Sequence, residues 1–179
     1  IFNMNPGKPT KGWNQIMTLP RRLRLSGEDQ ISIEPAGDIE SLRGVHHRVD
    51  PMTIPANRET VLEGVEGNSI ELIAEIDPKD ASMVELNVLQ SPDREEFTRI
   101  AFYRERGFRD RVRLSGTLAS LITLDSSYSS TAADVRARAP ETAQFLLEKD
   151  ESLKLRVFVD RSVVEVFVTM AFLGHPVTL

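Results

Sequence analysis

Leu153-Lys154-Leu155-Arg156-Val157-Phe158-Val159-Asp160-Arg161-Ser162-Val163-Val164-Glu165-Val166-Phe167-Val168 decides the fold class. Leu153, Leu155, Val157 and Val159 alternate with Lys154, Arg156 and Phe158. Val164, Val166 and Val168 alternate with Glu165 and Phe167. A period of two places successive side chains on opposite faces, which is the pattern of a strand. Asp160-Arg161-Ser162 separates the two runs and reads as the turn of a hairpin.

The same pattern extends through the chain. Ile70, Leu72, Ala74 and Ile76 share one face, with Glu71 and Glu75 on the other and Ile73 as the exception. Val84, Leu86 and Val88 alternate with Glu85 and Asn87, and Phe97 to Arg104 continues likewise. Turns are expected at Asp77-Pro78-Lys79-Asp80 and at Arg104-Glu105-Arg106-Gly107. Nearer the start, Ile16 to Leu19, Leu23 to Leu25 and Ile31 to Ile33 are short apolar runs, read as strands punctuated by Pro20, Ser26-Gly27 and Pro35. Ile39 to Arg43 suits a helical turn or a loop. Thr131 to Ala139 is the candidate helix, stopped by Pro140, and Ala143 to Glu148 is open between helix and strand. Many short strands with little helix predict an all-β, two-sheet antiparallel β-sandwich of the jelly-roll or concanavalin-like kind.

Composition fits one ordinary domain. The chain has 179 residues, 40% hydrophobic and 27% charged. It is too short for a (β/α)₈ barrel, which takes about 250 residues. With 22 Lys and Arg against 27 Asp and Glu, the formal charge is −5. Neutralising phosphates needs a basic surface, so no nucleic-acid partner is expected. No apolar run is long enough for a membrane helix, so no membrane partner is expected either. The absence of cysteine excludes disulfides, thiolate metal sites and cysteine nucleophiles. No cofactor is implied. The start, Ile1-Phe2-Asn3-Met4-Asn5, has no secretory pattern and does not begin with Met, so the chain reads as the inner part of a longer polypeptide. That leaves the compartment open between the cytoplasm and secretion.

Candidate chemistry is sparse. Asp160 and Glu165 flank one hairpin, but Asp160 suits a turn and Glu165 the polar, solvated side of a strand. Adjacent His46 and His47 would point to opposite faces of a strand, and His175 is distant, so no metal site is expected. Arg104, Arg106, Arg109, Arg111 and Arg113 form a basic cluster offset by Glu105 and Asp110, read as a solvated face or interface rather than an anion site. Ser126, Ser127, Ser129 and Ser130 surround Tyr128. Hydroxyls around a ring suit a sugar, and they equally suit a polar loop, the favoured reading.

Three segments carry a resemblance. The hairpin 153–168 resembles the hallmark of glycoside hydrolase family 32, in its C-terminal β-sandwich domain. Gly12-Trp13-Asn14-Gln15-Ile16-Met17-Thr18-Leu19-Pro20-Arg21-Arg22-Leu23 is similar to the segment that closes the family's catalytic propeller. Leu124-Asp125-Ser126-Ser127-Tyr128-Ser129-Ser130-Thr131, with Arg138-Ala139-Pro140-Glu141-Thr142, is similar to the middle of the sandwich. The family comprises invertases, levanases, inulinases and other β-fructofuranosidases. The resemblance covers roughly residues 11 to 169.

The resemblance implies a division at residue 26: residues 1–26 as a remnant of the last propeller strand and linker, and 27–179 as the sandwich with an atypical tail over 169–179. Family catalytic motifs do not carry over. Trp13 is followed by Asn14-Gln15 with no Asp-Pro, Phe108-Arg109-Asp110 is followed by Arg111 in place of Pro, and an E-C motif needs a cysteine. The resemblance therefore implies no catalytic residue and no enzyme in this chain alone. It implies a non-catalytic accessory domain of a β-fructosidase acting on sucrose, sucrose phosphate, levan or inulin. Its partner would be a catalytic propeller, packed through Trp13, Met17, Leu19 and Pro20. The alternative is a fructan-binding module, with Tyr128 as the candidate sugar contact, and a self-sufficient hydrolase is the third and weakest reading. After Val168 the family continues with an Asn-Gly turn and further strands, whereas Thr169 to Leu179 does not, as in a truncation or a change of reading frame. A sandwich short of its final strands exposes a sheet edge. Either Met170 to Leu179 patches that edge or two chains self-associate there.

Overall fold

In the computed structural model, residues 16–25, 31–108, 118–135, 138–147, 149–169 and 176–178 are described. Ten strands appear among them: β1 (Arg21–Leu25), β2 (Ile31–Pro35), β3 (Ser69–Ile76), β4 (Met83–Val88), β5 (Thr98–Tyr103), β6 (Ser120–Asp125), β7 (Glu141–Phe145), β8 (Leu153–Asp160), β9 (Val163–Thr169) and β10 (Pro176–Thr178). One 3₁₀ turn, Glu40–Leu42, precedes β3. The strands form two four-stranded sheets, β10-β9-β8-β3 and β4-β5-β6-β7, and a separate two-stranded sheet, β1-β2. Every pairing is antiparallel. The expected all-β sandwich is the observed architecture.

Alternation builds the core. Leu153, Leu155, Val157 and Val159 of β8 and Val166 and Val168 of β9 turn inward, joined by the inner residues of β3. From the other sheet they meet Val88, Ile100, Phe102, Ile122 and Phe145. Phe102 and Phe145 pack with ring centroids 6.0 Å apart. Such tightly interdigitated side chains hold the two sheets in one arrangement.

The hairpin of β8 and β9 closes more tightly than its sequence suggests. Asp160 remains in β8, paired with Val163, so the loop is Arg161-Ser162 alone. Arg161 takes a left-handed φ of 55°, the conformation a two-residue hairpin loop requires. Its amide donates to the Asn68 carbonyl at 2.5 Å, tying the loop to the start of β3.

Other expectations need correction. Ile16 to Leu19 is irregular, and the first strand starts at Arg21. The expected helix over Thr131 to Ala139 is absent from its described residues, which form a turn and extended chain. So short a helix needs packing to persist, and Val135 is exposed, with no apolar face to bury. Thr131 is held instead by its amide and hydroxyl, both donating to Glu96 Oε1. The open segment from Ala143 belongs to β7, where Ala143 and Phe145 turn inward toward the core. At the other end, Pro176–Thr178 pairs with β9 from Thr169 to Phe167. Residues 176–178 thus lie beside β9, where there would otherwise be an open edge.

Candidate functional site

Two outer sheet faces and one long loop hold the polar groups of interest. On the sheet β10-β9-β8-β3, the outward residues are Glu71, Ile73 and Glu75 from β3, Lys154, Arg156 and Phe158 from β8, and Glu165 and Phe167 from β9. Phe158 and Phe167 meet edge to face at 5.7 Å. Phe167 is buried, and so is Glu165, only 4% exposed. This overturns the solvated reading of Glu165. Its cover is the segment entering β1: the Leu19 amide donates to Glu165 Oε1 at 2.8 Å, and Arg21 Nη2 to Oε2 at 3.2 Å. The Arg21 guanidinium also lies 5.9 Å from the centre of the Phe167 ring. One carboxylate and one ring thus clasp the N-terminal segment to the sandwich.

A second carboxylate organises the β3 edge of the same face. Glu71 accepts from Arg43 Nε at 2.6 Å, Arg43 Nη2 at 3.0 Å and Arg156 Nε at 2.5 Å. Burial opposes its ionisation, but these guanidinium hydrogen bonds prevail and hold its carboxyl below the ordinary value. Glu71 in turn raises the Arg43 pKa. The pairing fixes the start of a strap, residues 43–68, that has no regular structure before the final approach to β3. Glu59 anchors its far part, accepting from Gln90 at 3.1 Å and Arg94 at 2.9 Å. Loops this long are uncommon in compact domains unless they have a task. Val45, Val49, Met52, Ile54 and Val61 along it are exposed.

The outer face of β4-β5-β6-β7 is different. In its central rows, Asn87, Arg99 and Asp125 lie side by side, followed by Glu85, Ala101 and Thr123. Arg99 donates to Asp125 Oδ2 at 2.8 Å and to Glu85 Oε1 at 3.4 Å. The Arg99 bond, aided by Ser127, keeps the Asp125 carboxyl below its ordinary value, and Asp125 raises the Arg99 pKa. At the rim, Tyr128 stacks on Phe97 at 5.2 Å with the rings 7° from parallel. The Arg99 guanidinium is 5.8 Å from the Tyr128 ring centre.

The structure therefore separates the sequence candidates. Tyr128 is 52% exposed on this second face. Met17 is 80% exposed and Pro20 exposed, while Leu19 is half-buried at the Glu165 clasp. Trp13, Arg109, Arg111, Arg113 and His175 lie outside the described residues. His46 and His47 are exposed on the strap, and among the described residues no group of three His, Asp and Glu could hold a metal ion. Asp160 and Glu165 do share a hairpin face, but Glu165 is already engaged by Leu19 and Arg21. Glu165, Arg21 and Glu71 were not legible as a docking group from spacing. The available signal was Phe158 and Phe167, two rings on the nominally polar side of the hairpin. No helix among the described residues is long and apolar enough to cross a membrane.

The family described as glycosyl hydrolases family 32 C terminal matches residues 38–170. That range takes in both sheets from β3 to β9 and the 3₁₀ turn. The chain belongs to this family. Among curated proteins, it is similar to the levanase of Bacillus subtilis (strain 168), 28% identical over 164 residues. The alignment covers 89% of this chain and 22% of that levanase, so the chain spans far less than half the length of this relative. Within the matched range, residues 153–168 form the β8-β9 hairpin, and its one buried acidic residue, Glu165, accepts from the segment entering β1.

Proposed function

We propose that this chain is the accessory sandwich of a family 32 β-fructosidase, stabilising a catalytic propeller and performing no hydrolysis itself. The observation that carries this reading is the Glu165 clasp on the segment before β1. It tethers a hairpin whose remaining surface is unfinished. β1 and β2 hydrogen-bond only with each other among the described residues, with β2 lying beside β10, and a two-stranded sheet has little stability of its own in water. Leu23 and Leu25 share one of its faces and are exposed. On this reading residues 1–26 hold the last propeller strand and the linker, and 27–179 the sandwich. Trp13, Met17, Leu19 and Pro20 are packing residues of that junction. The exposed apolar side chains of the strap 43–68 provide further surface of the same kind.

The parent substrate is a fructan or sucrose, a reading supported by the levanase relative. Sequencing the source locus immediately upstream tests the parentage. An in-frame propeller that co-purifies with this chain when expressed separately is expected. Hydrolysis of sucrose by the chain alone, abolished by changing one of its own carboxylates, would overturn the reading.

A further inference from the structure

We infer that the outer face of β4-β5-β6-β7 holds a binding site for a neutral oligosaccharide, with Tyr128 as its aromatic platform. This goes beyond the packing role and does not depend on it, because the clasp lies on the other sheet.

The platform is built, not incidental. Hydrogen bonds fix the Tyr128 loop on both sides of the ring. The Phe97 amide donates to the Tyr128 carbonyl at 2.9 Å, and the Ser127 amide to Asp125 Oδ1 at 2.9 Å. Thr98 and Ser129 share a hydroxyl bond of 2.7 Å. Phe97 supports the ring in a near-parallel stack, yet Tyr128 keeps half its surface in water. A rigid, half-exposed ring loses little entropy when a flat C–H surface covers it.

Beside the ring stands a fixed polar row. Arg99 lies between Glu85 and Asp125, each on a neighbouring strand. Asp125 is buried and holds Arg99 in place, while the exposed Glu85 and half-buried Arg99 set an acceptor and a donor side by side for a ligand's hydroxyls. Two carboxylates stand against one guanidinium, so the row disfavours anions, and its acceptor oxygens suit a neutral hydroxyl-bearing ligand. Tyr103, the other tyrosine, lies four residues beyond Arg99 on the same face of β5. At a strand rise of ~3.3 Å per residue, that is roughly 13 Å of backbone, a span for a short oligosaccharide rather than a monosaccharide.

The test is titration of the whole 179-residue chain, labelled with ¹⁵N, with inulin-type fructo-oligosaccharides and separately with maltotetraose. Saturable millimolar shifts at the amides of Phe97, Arg99 and Tyr128 are expected with at least one of them. Tyr128→Ala should weaken that binding by about tenfold or more, while Tyr103→Ala should weaken it less. Absence of saturable shifts with either sugar overturns the proposal, as does binding unchanged in folded Tyr128→Ala. Shifts at this face that grow with protein concentration in the absence of sugar would assign it to a second copy and also overturn it. Wild-type shift mapping decides the matter even if a variant fails to fold.

Discussion

The two sheets carry outer faces of the same construction and opposite fates. On β8 and β9, Phe158, Glu165 and Phe167 project outward, and the segment from Leu19 to Arg21 covers Glu165 and Phe167. On β5 and β6, Arg99, Tyr103, Thr123 and Asp125 project outward, and no other strand covers them among the described residues. Both faces neutralise their charges by cross-strand or clasp pairs. Both bury a carboxylate, Glu165 and Asp125, but only the first removes a full ring from water. A buried carboxylate must be compensated by good hydrogen bonds on either face, whereas a half-exposed ring can still be covered. The first face therefore depends on its cover for stability, and the second is free to meet a ligand.

The largest expected effect lies in the covered ring. Phe167→Ala should cost about 3–5 kcal/mol in urea unfolding, the range for a buried aromatic. Tyr128→Ala should cost about 1 kcal/mol, since its stacking on Phe97 is its main contribution. Equal losses at the two positions would erase the contrast between the faces.

Next comes the clasp. Glu165→Ala leaves the Leu19 amide and the Arg21 guanidinium without their shared acceptor. A loss of about 2–4 kcal/mol is expected. Asp125→Ala on the other face frees the more exposed Arg99 and should cost less, about 1–2 kcal/mol. Thermal denaturation of both variants side by side measures the difference.

Acid sharpens the comparison further. The Glu71 carboxyl is depressed below its ordinary value of 4.5, and that of Asp125 below 3.8. A depressed folded pKa contributes stability that is present above the ordinary value and is lost as pH falls through the folded value. Urea midpoints should therefore decline below pH 4.5 as Glu71 protonates and loses Arg43 and Arg156. Glu71→Gln should lower stability at neutral pH and flatten that decline. An unchanged acid slope in Glu71→Gln would place the linkage elsewhere. The smallest effect is expected at Ile73, outward on β3 and exposed, where Ile73→Thr should change stability by about 0.5 kcal/mol or less.

Much of this architecture was legible because period-two alternation is a direct image of two-faced strands. β3, β4, β5, β8 and β9 were all anticipated within a residue or two. Short segments were harder. The Ala and Arg content of Thr131 to Ala139 suggested a helix, but the two hydrogen bonds of Thr131 to Glu96 outweighed weak propensity. Ile16 to Leu19 looked like a strand and instead lends an amide to Glu165. The clasp itself was hidden because its members lie 144 and 146 positions apart. Local spacing cannot register such a pair, and an acidic residue in an alternating strand normally faces water. Tyr128 was visible as a ring among hydroxyls, but its support by Phe97 and the Arg99 row required the register of β4, β5 and β6.

The central claim is that the segment before β1 is docked on the outer face of β9 through Glu165. Amide hydrogen exchange read by NMR tests it most directly. The Leu19 amide should be protected in the wild-type chain. In Glu165→Ala it should exchange at least about tenfold faster, while Ile100 and Phe102 in the opposite sheet keep their rates. A Leu19 amide that exchanges at the unprotected rate in the wild-type chain would contradict the account.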